Sequence, residues 1–127
     1  MQLLFELSGP TTTQAAALDA MLFTRDPFPI VNLNNFLIRS DHNTRVILFV
    51  TNLQLAAGEV SSAVVVELLD SSNVSFHVPA EDVRAVPAFD FTQVVFRLPD
   101  NLASGQCVVK VIAHGQVTNT GTIRIQR

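Results

Sequence analysis

The chain has 127 residues, a formal net charge of -3, 48% hydrophobic residues and 15% charged residues. This length suits one domain that buries its core without metal or disulfide support, and the composition differs from that of disordered chains. The acidic balance, with only 8 Lys and Arg residues scattered along the chain, argues against nucleic-acid binding. No apolar run approaches the roughly 20 residues of a membrane-spanning helix.

The chain is predicted to begin with a strand. Residues 2–7 place Leu3, Phe5 and Leu7 at alternate positions, and this period of two is typical of a strand with one buried face. A Gly-Pro pair ends the pattern two residues later.

The segment after this strand carries weaker signals. Residues 15–21 are compatible with one or two helical turns capped by Thr13, although so short a helix does not stand alone. Residues 21–25 are compatible with a short strand. The two prolines of residues 26–29 favour an extended connector, because proline fixes its own φ and restricts the residue before it.

From residue 45 onward, runs of β-branched and aromatic residues alternate with polar ones, and Pro, Asn or Gly interrupts them regularly. The predicted strands are 45–50, 62–69, 74–78, 81–87, 92–98, 106–113 and 121–126. With the N-terminal strand, they predict an all-β fold, a two-sheet antiparallel immunoglobulin-like sandwich of about seven to nine strands. We assign residues 31–127 to this sandwich. Residues 1–30 are expected to be an extended N-terminal segment, packed on the sandwich or exchanged with another copy.

The C-terminal third has a particular order of strand ends and turns. The positions that carry it are Leu98-Pro99, Leu102, Gly105, Gly115, Thr118 and Asn119. This order resembles that of bacterial immunoglobulin-like modules of the IPT/TIG type, which occur near the C-termini of large secreted or surface proteins. The resemblance covers about residues 31–127.

The resemblance implies an extracellular or cell-surface setting, with any secretion signal upstream of Met1. Modules of this kind serve adhesion, spacing, sugar contact and domain docking, so the resemblance does not select one role. Pro99 is expected to end strand pairing and Gly105 to allow a close approach of two chains. Asn119 is expected to bond backbone groups of its own loop.

No catalytic motif and no cofactor-binding motif is recognisable, so the sequence predicts a non-enzymatic protein without a cofactor. Cys107 alternates with Val109 and Val111, which indicates a buried strand thiol rather than a nucleophile. His77 is out of phase with Phe76 and is expected on the polar face of its strand.

Four acidic residues are the candidates for metal binding: Glu81, Asp82, Asp90 and Asp100. Loop carboxylates are the ligands that Ca²⁺ prefers, so a calcium-dependent binding domain is one alternative. No EF-hand pattern accompanies them, and solvated loop acids are the simpler interpretation.

The chain has nine Phe but neither Trp nor Tyr, which weakens a sugar-binding interpretation because sugar-binding faces favour rings with a polar tip. Most Phe side chains are expected in the core. Phe28, between two prolines, and Phe89 and Phe91, on either side of Asp90, fall outside the strand pattern. These four residues form the candidate interaction surface, with loop Phe side chains tucked over the sandwich end as the alternative.

Two functional hypotheses follow from these observations. The first is a structural, docking or adhesion module whose partners are other domains of a larger polypeptide or separate proteins. The second is a self-assembling subunit in which Leu3, Phe5 and Leu7 complete the sheet of a neighbouring copy.

Overall fold

The computed structural model describes residues 1–5, 14–31 and 41–127, and its regular structure is almost entirely β-strand. The strands of the described residues are β1 (Gln2–Leu3), β2 (Ala17–Asp19), β3 (Arg45–Thr51), β4 (Val65–Leu69), β5 (Ser75–Pro79), β6 (Asp82–Ala85), β7 (Phe91–Arg97), β8 (Gly105–Ala113), β9 (Gln116–Val117) and β10 (Gly121–Ile125). A 3-10 turn at Ser61–Ala63 precedes β4.

The strands form two antiparallel sheets. The first has the order β1-β3-β7-β6, with β2 also paired to β3, and the second has the order β10-β8-β4-β5, with β9 paired to β8. These are the A-B-E-D and G-F-C-C′ orders of an immunoglobulin sandwich. The predicted all-β two-sheet sandwich is therefore confirmed. The described residues contain ten strands rather than seven to nine, because β2 and β9 are short additions to the predicted set.

The core lies between the two sheets and follows the alternation of the strands. On β7, Val94 and Phe96 are fully buried, and on β8 the same is true of Cys107, Val109 and Val111. Each fully buried aliphatic or aromatic side chain stabilises the fold by about 1.5–3 kcal/mol relative to exposure.

Residues 15–21 do not form the predicted helical turns. Ala17 pairs with Leu48 across β2 and β3, and this tertiary pairing overrides the weak helical tendency of a segment too short to be a stable helix. The carboxylate of Asp19 accepts the N–H groups of Met21 and Leu22, which produces a turn where a short strand was predicted. Thr13, the expected cap, lies outside the described residues.

The segment of residues 14–28 covers one open side of the sandwich. Gln14 bridges Thr122 and Phe28 bridges Ile125, both in parallel with β10, whereas β2 pairs with β3 in the other sheet. The segment therefore passes from one sheet to the other and supplies hydrogen bonds to the outer edge of β10, which would otherwise be a free edge.

Strand β1 lies against its own sandwich. Leu3 is 2% exposed, and its N–H donates a 2.8 Å hydrogen bond to Oδ1 of Asn119. The prediction that Asn119 bonds its own loop is wrong, because its amide is close enough to β1 to bond Leu3 instead. A Cβ on Gly121 would come within 2.9 Å of Leu3 and 3.3 Å of Phe5, so this glycine permits the close packing of β1. Leu7 lies outside the described residues.

Candidate functional site

An open groove lies where β3 ends and β7 begins. Thr51 and Phe91 form the last residue pair of these strands, and Asn52 then turns the chain outward with a left-handed φ of 56°. Leu53 returns to the core, and the hydroxyl of Thr92 donates a 2.7 Å hydrogen bond to its carbonyl. This hydrogen bond fixes one wall of the groove against β7.

The opposite wall is the loop between β6 and β7. The N–H of Val86 donates to the carbonyl of Phe91, and the N–H of Phe89 donates to the carbonyl of Val86, both at 3.2 Å. Ala88 has a φ of 68°, a conformation that residues other than glycine seldom adopt. The tight loop leaves the side chain of Phe89 64% exposed.

Three phenylalanine rings form a continuous series, here termed the aromatic ladder. The rings of Phe49 and Phe91 meet edge to face, with centroids 5.4 Å apart and planes at 84°. The rings of Phe91 and Phe89 stack, with centroids 5.3 Å apart and planes at 30°. Such pairs contribute about 0.5–1.5 kcal/mol beyond burial, so the half-buried ring of Phe91 holds the exposed ring of Phe89 in place.

The groove has a volume of about 550 Å³. It is lined by Asn52, Leu53, Gln54, Ala85, Phe89, Asp90, Phe91 and Thr92. Asp90 is the one charged residue of this lining. Within the described ranges 1–5, 14–31 and 41–127, no hydrogen bond or ion pair engages the side chains of Asn52, Gln54 or Asp90.

The structure brings together three of the four residues of the candidate interaction surface. Phe89, Asp90 and Phe91 share the groove. Phe28 is 1% exposed and belongs to the core, so its inclusion in an exposed surface is wrong. Its backbone bridges β10, and this pairing turns the ring inward between the sheets.

The sequence did not indicate Phe49, Asn52 or Gln54 as members of the site. Both parities of residues 45–50 are apolar, so the pattern placed Phe49 in the core, although it lies on the outer face of the sheet opposite Gln93. The available signal for the amides was their position directly after a strand end, where polar side chains commonly gather in functional loops.

The four acidic residues proposed as calcium ligands have separate surroundings. Glu81 pairs with Arg45 at 2.8 Å and Asp82 with Arg84 at 3.3 Å. Asp100 accepts the amide of Asn43, and Asp90 lies in the groove. In the part of the chain that the structure describes, no three His, Cys, Asp or Glu side chains are grouped as metal ligands would be.

The other end of β3 and β7 carries a network that we term the polar cluster. Arg45, 5% exposed, donates from Nε and Nη2 to the two carboxylate oxygens of Glu81 at 2.8 and 3.1 Å. It also donates to Asp41 and to the carbonyl of Asn43. Burial opposes the charge of Arg45, but the hydrogen bonds with Glu81 and Asp41 outweigh it, and the pKa of Arg45 is raised.

Arg97 extends the polar cluster along β7. Its Nε lies 2.7 Å from Oδ2 of Asp41, and its Nη2 lies 3.4 Å from Oδ1 of Asp100. Partial burial would raise the pKa of Asp41, but hydrogen bonds from Arg45, the backbone of Asn43 and Arg97 lower it well below its ordinary value. The amide of Asn43, followed by the charge of Arg97, likewise lowers the pKa of Asp100.

The remaining reactive side chains have settled environments. Cys107 is fully buried as predicted, and burial raises the pKa of its thiol to about 12, which makes it a poor nucleophile. The side chain of His77 is 62% exposed on the outer face beside Glu67, as its strand phase predicted. His114 lies 2.7 Å from Glu59, and this hydrogen bond lowers the pKa of Glu59.

Comparison of the chain with protein-family models, with curated proteins and with solved structures gives no match. Among the described residues, no helix has the length and apolar character needed to cross a membrane.

Proposed function

We propose that this chain is a non-enzymatic immunoglobulin-like module of a secreted or cell-surface bacterial protein, and that it docks a protein segment in the groove beside Phe89. The segment belongs to a neighbouring domain of the same polypeptide or to a separate protein. The observation that carries the proposal is the 64% exposure of Phe89 next to a groove of about 550 Å³.

The geometry of the groove supports docking rather than a structural role for this ring. Exposed Phe89 buries little area against its own chain, so folding gains little from it. An aromatic ring held rigidly by a stacked neighbour loses little conformational entropy on binding, and aromatic anchors in pockets dominate many interfaces. Edge loops of a rigid sandwich are also where such folds commonly bind partners.

The proposed extracellular setting rests on the resemblance of residues 98–119 to IPT/TIG-type modules. It can be tested by labelling intact cells of the source organism with an antibody raised against this chain. We expect labelling without permeabilisation. Labelling that appears only after permeabilisation would contradict the cell-surface part of the proposal.

The docking function can be tested by selecting random peptides displayed on phage against the whole chain. The selected peptides would be measured against Phe89→Ala and, as a matched control, Phe23→Ala. Phe23 is an equally exposed phenylalanine, at 66%, and it is not among the residues that line the groove. We expect Phe89→Ala to weaken binding at least tenfold, the loss of one anchor worth about 1.4 kcal/mol, and Phe23→Ala to leave it unchanged.

The selection also has a result that counts against docking. If all selected peptides bind the wild-type chain and Phe89→Ala equally well, the groove is not the preferred interaction surface. Circular dichroism of both variants would establish that each is folded, and neither change removes a buried side chain.

A second candidate function, strand exchange between copies, is supported by the completeness of the β1 site. The buried position of Leu3, the amide of Asn119 and the space above Gly121 together form a seat for an apolar strand. In an exchanged dimer, the same seat would accept β1 of the neighbouring copy.

The exchange hypothesis predicts a concentration-dependent mass in sedimentation equilibrium. Asn119→Ala removes both hydrogen bonds to Leu3 and is expected to shift the equilibrium toward monomer. A monomeric mass at every concentration tested would contradict strand exchange and leave docking in the groove as the remaining proposal.

A further inference from the structure

We infer that the groove receives a basic side chain, Lys or Arg, carried by an extended segment of the docked protein. This inference rests on the docking function proposed above and names the chemistry that the groove would recognise.

The charge of the groove has no internal counterpart. Asp90 is the single charged residue among the eight that line the groove, and no Lys, Arg or His accompanies it. Its carboxylate forms no hydrogen bond or ion pair with any described residue. At the other end of the same sheet, by contrast, Asp41 and Glu81 are each bonded to arginine. Asp90 is therefore an acidic group available to a partner.

The rings that flank Asp90 in sequence suit the same type of partner. The faces of aromatic rings carry negative electrostatic potential and attract Lys or Arg, and the aliphatic stems of these residues pack well on apolar surface. Phe89 and Phe91 are stacked, and Phe89 is mostly exposed. A basic side chain could lie along Phe89 and place its charged end at Asp90, satisfying both groups at once.

The far wall of the groove offers groups for a peptide backbone. Asn52 and Gln54 each carry an amide donor and acceptor with no partner among the described residues. Pairing with the edge of β6 is less available, because the N–H of Val83 already donates to Oγ of Ser61. We therefore expect the segment to be bonded by the Asn52 and Gln54 side chains rather than added to the sheet as a further strand.

The experiment titrates the ¹⁵N-labelled chain with three blocked pentapeptides, Pro-Pro-X-Pro-Pro, followed by NMR. X is lysine, norleucine or glutamate, so that the lysine and norleucine peptides share the aliphatic stem and differ in charge. We expect the lysine peptide to shift the amide signals of residues 52–54 and 89–91 and to bind about fivefold more tightly than the norleucine peptide. We also expect Asp90→Asn to remove this preference.

Asp82→Asn is the matched control, because Asp82 is an acidic residue on the same sheet that does not line the groove. This variant should keep the preference for lysine. Added salt should reduce the preference in the wild-type chain, since exposed ion pairs are screened.

Several results would overturn the inference. Equal binding of the lysine and norleucine peptides would show that the groove accepts apolar segments without reading charge, which leaves the docking function intact. Absence of shifts at residues 52–54 and 89–91 with the lysine peptide, up to about 10 mM, would also overturn it. So would shifts at these residues with an oligosaccharide such as cellohexaose and none with the lysine peptide. Failure of docking itself is recognised separately, by phage-selected peptides that ignore Phe89→Ala.

Discussion

Strands β3 and β7 carry regions of opposite character at their two ends, both on the outer face of the first sheet. Beside the Arg45–Arg97 pair, the polar cluster connects two arginines with Asp41, Glu81 and Asp100. Beside the Thr51–Phe91 pair, the groove displays an exposed ring and three polar side chains without described partners.

The difference separates groups that stabilise the fold from groups that are free for binding. A buried charge must be paired, since leaving it alone costs several kcal/mol. An exposed ring or amide has no such requirement, and removing it costs the folded state little. We therefore expect substitutions at the polar cluster to change stability and substitutions at the groove to change binding.

The two kinds of phenylalanine give the largest expected contrast in stability. Phe28→Ala should lower the free energy of unfolding by about 3–5 kcal/mol, because it empties a buried position that is 1% exposed. Phe89→Ala should change it by less than about 0.5 kcal/mol, as is usual for exposed positions. Urea unfolding of both variants measures the difference. A large loss for Phe89→Ala would mean that the groove loop is part of the folding core.

Arg45→Met should have the next largest effect, a loss of about 3 kcal/mol at neutral pH. The substitution keeps apolar volume but leaves Asp41 and Glu81 without their shared partner, and the partial exposure of both carboxylates puts the cost at the lower end for broken buried pairs. Arg84→Met is the control. Its arginine is 70% exposed and pairs with Asp82, so urea unfolding should show a change below about 1 kcal/mol. Equal losses would end the distinction between buried and surface pairs.

The strands that flank both regions were predictable because alternation is a local property of the sequence. Residues 92–98 and 106–113 alternate buried and outward side chains, and the observed β7 and β8 follow this period. Phe89 and Phe91 could be proposed as surface residues for a similarly local reason, since they flank an acid in a connector between two strand patterns.

The features that sequence reasoning missed depend on distant partners. Strand β2 exists because Ala17–Asp19 pairs with β3, and nothing within the segment itself indicates this. Phe28 turns inward because it bridges β10, and Asn119 bonds Leu3 at the opposite end of the chain. Phe49 belongs to the aromatic ladder only through the register of β3 and β7.

The polar cluster should also make stability depend on acid, through Asp41. Its pKa is below the ordinary 3.8 in the folded chain, so the unfolded chain binds more protons in the window between the two values. Stability is then complete above about pH 4 and falls as the pH drops through the folded pKa. Asp41→Asn should cost about 2 kcal/mol at pH 7 and should flatten the acid limb of a plot of urea midpoint against pH. An unchanged acid limb would assign the pH dependence to other carboxylates.

The smallest expected effect concerns an exception to the pairing at the polar end. The hydroxyl of Thr44 is buried and has no hydrogen-bond partner among the described residues, whereas its backbone bonds Ile30 and Leu98. Thr44→Val replaces the hydroxyl with a methyl group of similar size and should raise the free energy of unfolding by about 1 kcal/mol, because an unsatisfied buried polar atom is removed. Thr44→Ser, which keeps the hydroxyl and loses the methyl group, should lower it by a similar amount. A loss of stability in Thr44→Val would show that the hydroxyl is paired in solution, and the polar end of the sheet would then be saturated without exception.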